Sequence, residues 1–140
     1  MSEIKLQSDI VKRFSEIYPE KRGQLFHVPN ERNSRLQAFK AKAIGIFPGV
    51  SDLIFIDINN IGISKMIAIE LKEPNSRHEV NQILVQLEWA EIATSLGVVW
   101  RLCRSIEEAI SCTEHIYKGL TIKDVRTMLE NNGNKKTIKF

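Results

Sequence analysis

The stretch "GVSDLIFIDINNIGISKMIAIELKEP", residues 49–74, carries three side chains of types that can act together on a substrate: Asp52, Glu70 and Lys72. Two apolar runs bracket "NNIGIS", so the segment reads as two strands, Asp52 to Ile58 and Lys65 to Lys72, joined by a hairpin loop. Alternation along the second strand sends Glu70 and Lys72 to one face and Leu71 to the other. A hairpin centred on Ile61 pairs Ile58 with Ser64, Ile56 with Met66, Ile54 with Ala68 and Asp52 with Glu70. Opposed Cβ atoms lie roughly 5 Å apart, where like charges repel. A one-residue slip would put the two acids on opposite faces.

Two close carboxylates have three common fates: sharing a proton, flanking a glycosidic bond as acid and base, or holding a cation. Lys72 on the same face favours ionisation of both acids and argues against the shared proton. Oxygen donors without neighbouring His or Cys suit a hard ion such as Mg²⁺ or Mn²⁺ rather than zinc. Such an ion polarises a phosphate oxygen and activates bound water, and Lys72 would orient that water or stabilise charge growing on the phosphate. The bland alternative makes Asp52 an accidental strand start and Glu70–Lys72 a surface pair. Against it stands "MIAIELK", an interior-strand sequence in which unpaired charge is costly.

The rest of the chain must position these groups. At 140 residues it suits one domain over 1–140, with 131–140 as a frayed tail. Apolar content of 43% with 26% charged residues is globular and excludes general disorder. The periodicity predicts a helix from about Glu3 to Tyr18, with Ile4, Val11, Phe14 and Tyr18 inward, stopped by Pro19. "QLFHV" is a short strand, and Ser34 can cap a short helix, "RLQAFKAKA". The strand from Asp52, nearly continuous in apolar residues, predicts cover on both faces.

A strong helix follows from about Glu79 to Leu96, with Val80, Ile83, Leu84, Leu87 and Ala90 at core spacing and Gly97 to end it. "VVWRLCR" is a further buried strand, with Trp100 as packing. "SIEE" and "TIKD" carry capping-box patterns for helices running to about Gly119 and Asn131. The order predicts an α/β fold, a small mixed β-sheet flanked by helices.

No apolar run reaches membrane-spanning length, and "MSEIKLQSDIVKRF" lacks the apolar block of a signal peptide. Cys103 and Cys112 show no CxxC spacing and no disulfide framework, so a reducing, cytoplasmic setting without membrane contact is expected. Net charge is +3, but residues 1–47 hold nine Lys/Arg against five Asp/Glu, 48–97 three against seven, and 98–140 eight against five. Basic flanks around an acidic centre fit a polyanion partner plus a metal site.

The array "PGVSD … IAIELKEP … QLEWAEIATSLG" resembles the virus-type replication-repair nuclease domain, VRR-NUC, of the PD-(D/E)xK nuclease superfamily. "PNERN" and "GIFPGVSD" resemble the family's segments before the catalytic aspartate, and the likeness runs from Glu3 to about Ala109. It implies a restriction-endonuclease-like core, with Asp52, Glu70 and the carbonyl of Leu71 as metal ligands. Lys72 becomes the catalytic lysine, Gln86 a helix residue reaching the site, and Glu3, four residues before Gln7, a first-helix glutamate at the metal. Ser51 stands where the superfamily name implies proline.

The resemblance also implies a Mg²⁺- or Mn²⁺-dependent DNA endonuclease. Its expected substrate is branched DNA, such as a four-way junction, in phage or bacterial replication, recombination or repair, and its expected assembly a homodimer. Arg32, Arg35, Lys40 and Lys42, ahead of Asp52, either contact phosphates or form a solvated basic helix. Asn30 either holds its loop or touches the DNA backbone. Of the histidines, His27 fits a strand near the core and His78 follows the site strand, within reach of substrate. The alternatives are a non-catalytic DNA-binding module on the same fold and a sequence-specific restriction-type nuclease.

Overall fold

A computed structural model describes residues 2–29, 40, 42–45 and 47–140. Helix α1 (Glu3–Ile17) begins where the Ser2 hydroxyl accepts the Lys5 N–H. A single 3-10 turn at Pro19–Lys21 leads to β1 (Leu25–His27), then β2 (Leu53–Ile58) and β3 (Ser64–Leu71). The two-residue strand β4 (His78–Glu79) runs straight into α2 (Val80–Ser95), followed by β5 (Val99–Cys103), α3 (Ile106–Thr113), α4 (Ile122–Asn131) and β6 (Thr137–Ile138). The predicted helix at Ser34 falls outside the described residues, apart from the exposed helical residues Lys40 and Lys42.

The main sheet has the order β1-β2-β3-β5. The first three strands are antiparallel, and β5 lies parallel to β3. A parallel neighbour needs a long crossover, and α2 supplies it. In the hairpin Ile54 pairs with Ala68, Ile56 with Met66 and Ile58 with Ser64, the register expected from a turn centred on Ile61. Asn59 fixes that turn by accepting the amides of Ile61 and Ile63.

Strand alternation then divides the core in two. Odd-numbered positions Leu53, Phe55, Ile67, Ile69 and Leu71 pack with Leu6, Ile10 and Phe14 of α1 and Ala109 and Cys112 of α3. Even-numbered Ile54, Ala68, Trp100 and Leu102 pack under Ile83, Leu87 and Ala90 of α2, with Val125 and Ile138. Each side chain buried this way contributes about 1.5–3 kcal/mol. Helices on both faces of a mixed sheet are the α/β architecture anticipated above.

Several expectations need correction. In α1 the buried stripe is Leu6, Ile10 and Phe14, while Ile4 is 83% exposed. Both stripes have helical spacing, and only the direction of the sheet chooses between them. Strand β2 is covered on both faces only over Leu53–Phe55, and Ile58 is 61% exposed, because α2 does not extend over the turn end of the hairpin. Likewise Leu84 of α2 lies exposed beside the core stripe.

Helix α3 stops at Thr113, well short of Gly119. The Ile116 amide turns back to the Ser111 carbonyl while His115 takes a left-handed conformation (φ 60), the place glycine usually fills in such a stop. Its Ser105 accepts the Glu108 amide, but Glu108 takes the Arg104 amide instead of closing the box, whereas Thr121 and Asp124 form a complete one. The tail is not frayed: β6 pairs with β4 and Ile138 is buried. Cys103 and Cys112 are buried free thiols with sulfurs 3.8 Å apart.

Candidate active site

The site lies where β2 begins and β3 ends. Leu53 pairs with Ile69, so the next pair outward sets Asp52 opposite Glu70. The closure is visible in one bond: the Leu71 amide donates to Asp52 Oδ2 at 2.8 Å. Glu70 pairs with Leu102 of β5 and shares the α2 face of the sheet. Two residues on, Lys72 is tied to β5 through its amide, which donates to the Cys103 carbonyl at 3.1 Å. Its Nζ lies 3.7 Å from Glu70 Oε1, and both side chains are only 2% exposed.

Such burial has a consequence for charge. Burial first, and the neighbouring Asp52 charge second, push the Glu70 carboxyl well above its ordinary value, and Lys72 only partly opposes them. Lys72 thus offsets only part of what burial and the Asp52 charge do to Glu70, and a further positive charge beside it would favour its ionised form. Among the described residues Glu70 Oε2 is also buried without a hydrogen-bond partner, an arrangement that costs about 1–3 kcal/mol unless something occupies it.

The loop entering β2 is held against α2. Gly49 has φ +84, and a Cβ there would lie 2.5 Å from the Val85 carbonyl oxygen and 3.1 Å from the Gln86 Cα. Only glycine permits that approach, which brings Ser51 and Asp52 up to the helix turn carrying Gln86. Gln86 Oε1 and Ser51 Oγ are likewise buried without partners. Glu3, at the start of α1, stands at the rim. Burial raises its carboxyl above the ordinary value, while Lys72 and His78 pull it down and Asp52 and Glu73 push it up. Asp52, Glu70, Lys72 and Glu3 thus share one neighbourhood. Gln86 joins it through the Gly49 contact.

Of the expected phosphate contacts, Lys40 and Lys42 are exposed on a helical turn, and Asn30, Arg32 and Arg35 lie outside the described residues. One supporting residue, Glu73, escaped the sequence reading, and two histidines named there take supporting roles. Glu73 is buried and caps the turn after β3, accepting the Asn75 amide and the Ser76 hydroxyl. His78 Nε2 donates to the Glu73 carbonyl, 2.9 Å away, and its Nδ1 lies 3.8 Å from Glu3, so it braces the rim. His27 holds the Asp52 carbonyl at 2.7 Å. The only sequence signal for Glu73 was its place before "PNS", a turn that needs a capping acceptor.

A divalent cation fits these residues. The candidate donors are all oxygens, and Glu70 Oε2 is buried without a partner among the described residues. Among the described residues no group of three or more His, Cys, Asp and Glu is placed to hold a metal ion. Two carboxylates with open positions suit Mg²⁺, which keeps waters and substrate oxygens in its shell.

No protein-family model matches the chain, and no curated protein matches it. Among solved structures, a "VRR_NUC domain protein" aligns with a TM-score of 0.60 and 19% sequence identity, covering 86% of this chain and 92% of that one. In the arrangement of its helices and its mixed sheet, the chain has the VRR-NUC fold.

Proposed function

We propose that the protein is a metal-dependent endonuclease that hydrolyses phosphodiester bonds in DNA. The observation that carries this reading is the meeting of Asp52, Glu70 and Lys72 at one sheet end, with Glu70 Oε2 and Gln86 Oε1 buried and unsatisfied. Asp52, Glu70 and the Leu71 carbonyl would hold Mg²⁺ or Mn²⁺, with Glu3 at the rim. Bound there, the ion would polarise a phosphate oxygen and acidify water. Lys72 would hold the attacking water or stabilise the charge that grows on the phosphate oxygens. Gln86 would orient that water or the scissile phosphate. The water oxygen joins phosphorus, the bond from phosphorus to the leaving oxygen breaks, and the leaving oxygen takes a proton.

Lys40 and Lys42, with Asn30, Arg32 and Arg35, are proposed to position the DNA backbone without reading sequence. Branched DNA as substrate, a role in replication, recombination or repair, and a homodimer belong to the same proposal. The dimer is supported by an exposed apolar strip toward the hairpin's turn end, with Ile56, Ile58 and Met66 each at least 39% exposed. No described helix is long and apolar enough to cross a membrane.

The test is Mg²⁺- or Mn²⁺-dependent cleavage of linear, flap, fork and four-way junction DNA, with Asp52→Asn and Lys72→Ala as controls. Equal cleavage by those variants would remove the assignment. Salt-sensitive DNA binding without metal-dependent turnover would make the protein a binding module on the nuclease fold.

A further inference from the structure

The buried side-chain atoms that lack hydrogen-bond partners among the described residues fall into two groups of opposite character. Ser51 Oγ, Glu70 Oε2 and Gln86 Oε1 are oxygens at the site above, whereas Trp100 Nε1 and Arg101 Nε are N–H donors on adjacent residues of β5. Trp100 and Arg101 also line a cavity of about 310 Å³ at the outer edge of that strand, together with Thr94, Tyr117, Thr121 and Lys123. Its polar lining residues are Thr94, Tyr117, Thr121, Arg101 and Lys123, and the Asp124 carboxylate in the first turn of α4 lies close enough to feel both cations.

Arg101 is arranged to grip an anion. Its Nη1 donates to the Trp100 carbonyl at 2.7 Å, while its Nε, one donor of the fork that binds phosphate side-on, is buried without a partner among the described residues. The guanidinium is steadied over the Tyr117 ring at 5.3 Å, and Lys65 Nζ lies over the same ring at 5.3 Å. Tyr117 is itself held in a left-handed backbone conformation (φ 58), with its hydroxyl 3.0 Å from His115, whose other ring nitrogen meets Asp57 at 2.9 Å. That strain has a local cause to persist if the ring forms one wall of a site.

The N-terminus of α4 completes the picture. Thr121 and Asp124 cap each other, but the first-turn amides of Ile122 and Lys123, both cavity residues, have no intrahelical acceptors. They add their partial positive charge to Arg101 and Lys123. Val98, Val99 and Ile122 provide an apolar wall for whatever carries the anion.

We propose that this cavity binds a phosphate group borne by a nucleotide or by the end of a nucleic-acid strand, at a place that shares no residue with Asp52, Glu70 and Lys72. Its volume lies at the lower end of ligand pockets, roughly 300–1,000 Å³, enough for a phosphate with a small organic moiety. The experiment is calorimetric titration in EDTA with three probes: inorganic phosphate, a nucleoside 5′-monophosphate and a short 5′-phosphorylated single strand. Wild type should bind at least one of them, and the tightest identifies the carrier.

Arg101→Gln should weaken that binding about tenfold or more and Lys123→Gln several-fold, by loss of charge-assisted hydrogen bonds. Arg101→Lys, which keeps the charge without the fork, should also bind more weakly than wild type, and Asp52→Asn should bind like it. Failure of all three probes, or wild-type affinity in the Arg101 variants with their fold verified by circular dichroism, would overturn the proposal. No arm uses metal or cleavage, so its failure and that of the nuclease reading are separable.

Discussion

At the open end of the β2–β3 hairpin, Asp52 and Glu70 face each other under α2, and Glu70 is 2% exposed with one oxygen unsatisfied. At the turn end of the same hairpin Asp57 is met by His115 at 2.9 Å, by Lys21 at 3.5 Å and by the Ile58 amide at 2.9 Å. Burial raises both acids. In Glu70 it prevails, reinforced by Asp52, and the carboxyl lies well above its ordinary value. In Asp57 the His115 ring, the Ile58 amide and Lys21 together outweigh it and hold the carboxyl below its ordinary value. One acid is complete as folded. The other has Lys72 Nζ 3.7 Å from one oxygen and no partner among the described residues for the second, and the proposed cation site rests on that difference.

The largest test of this contrast is catalytic. Asp52→Asn and Lys72→Ala should each reduce metal-dependent cleavage roughly 10²–10³-fold, the scale of losing one electrostatic stabiliser, while Asp57→Asn leaves the rate within about twofold. A comparable loss in Asp57→Asn would abolish the distinction. Next comes metal linkage. Mn²⁺ at about 100 times its Kd should stabilise the wild type by about 2.7 kcal/mol, seen as a raised Tm. Glu70→Gln should lose that response and Asp57→Asn keep it.

Gly49→Ala sharpens the comparison from the loop side. A side chain at φ +84, pressed on the Val85 carbonyl, should cost about 1–3 kcal/mol in urea unfolding and lower cleavage by displacing Asp52 from α2. Wild-type activity in that variant would show that the loop contact does not position the site.

The smallest effect is in pH dependence, where the two acids have opposite signs. Folded, metal-free protein keeps the Glu70 proton above 4.5, the ordinary value, so it binds more protons than the unfolded chain there. Stability from this group therefore falls as pH rises from about 4.5 through the folded value. Asp57 contributes fully above its ordinary 3.8, and its contribution is lost as pH falls through the lower folded value. Urea midpoints measured across pH should flatten on the alkaline side in Glu70→Gln and on the acid side in Asp57→Asn. Identical profiles for the two variants would erase the contrast.

Much of the positioning frame was legible before any coordinates. Two apolar runs and the loop of Asn and Gly residues located the hairpin, and centring it on Ile61 gave the observed register, with a one-residue slip as the alternative. The capping residues Ser105 and Thr121 marked helix starts through a local bond that needs no tertiary partner. The stop of α3 at His115 was not legible, since the Asp57 contact that accompanies its left-handed conformation comes from a strand far away in sequence. Nor was the ordered tail, whose two-residue strand is stable only against β4.

The same division runs through the site. By itself the sequence determined which residue types meet: two acids and a lysine at the ends of two paired strands, a consequence of covalent order and alternation. Tertiary structure alone decided what that meeting means. Closing α2 over the sheet removed Glu70 from water, pressed Gly49 against the turn bearing Gln86, and left oxygens without partners. Desolvation depends on what is packed nearby in space, and residues far apart along a chain carry no local signal of it.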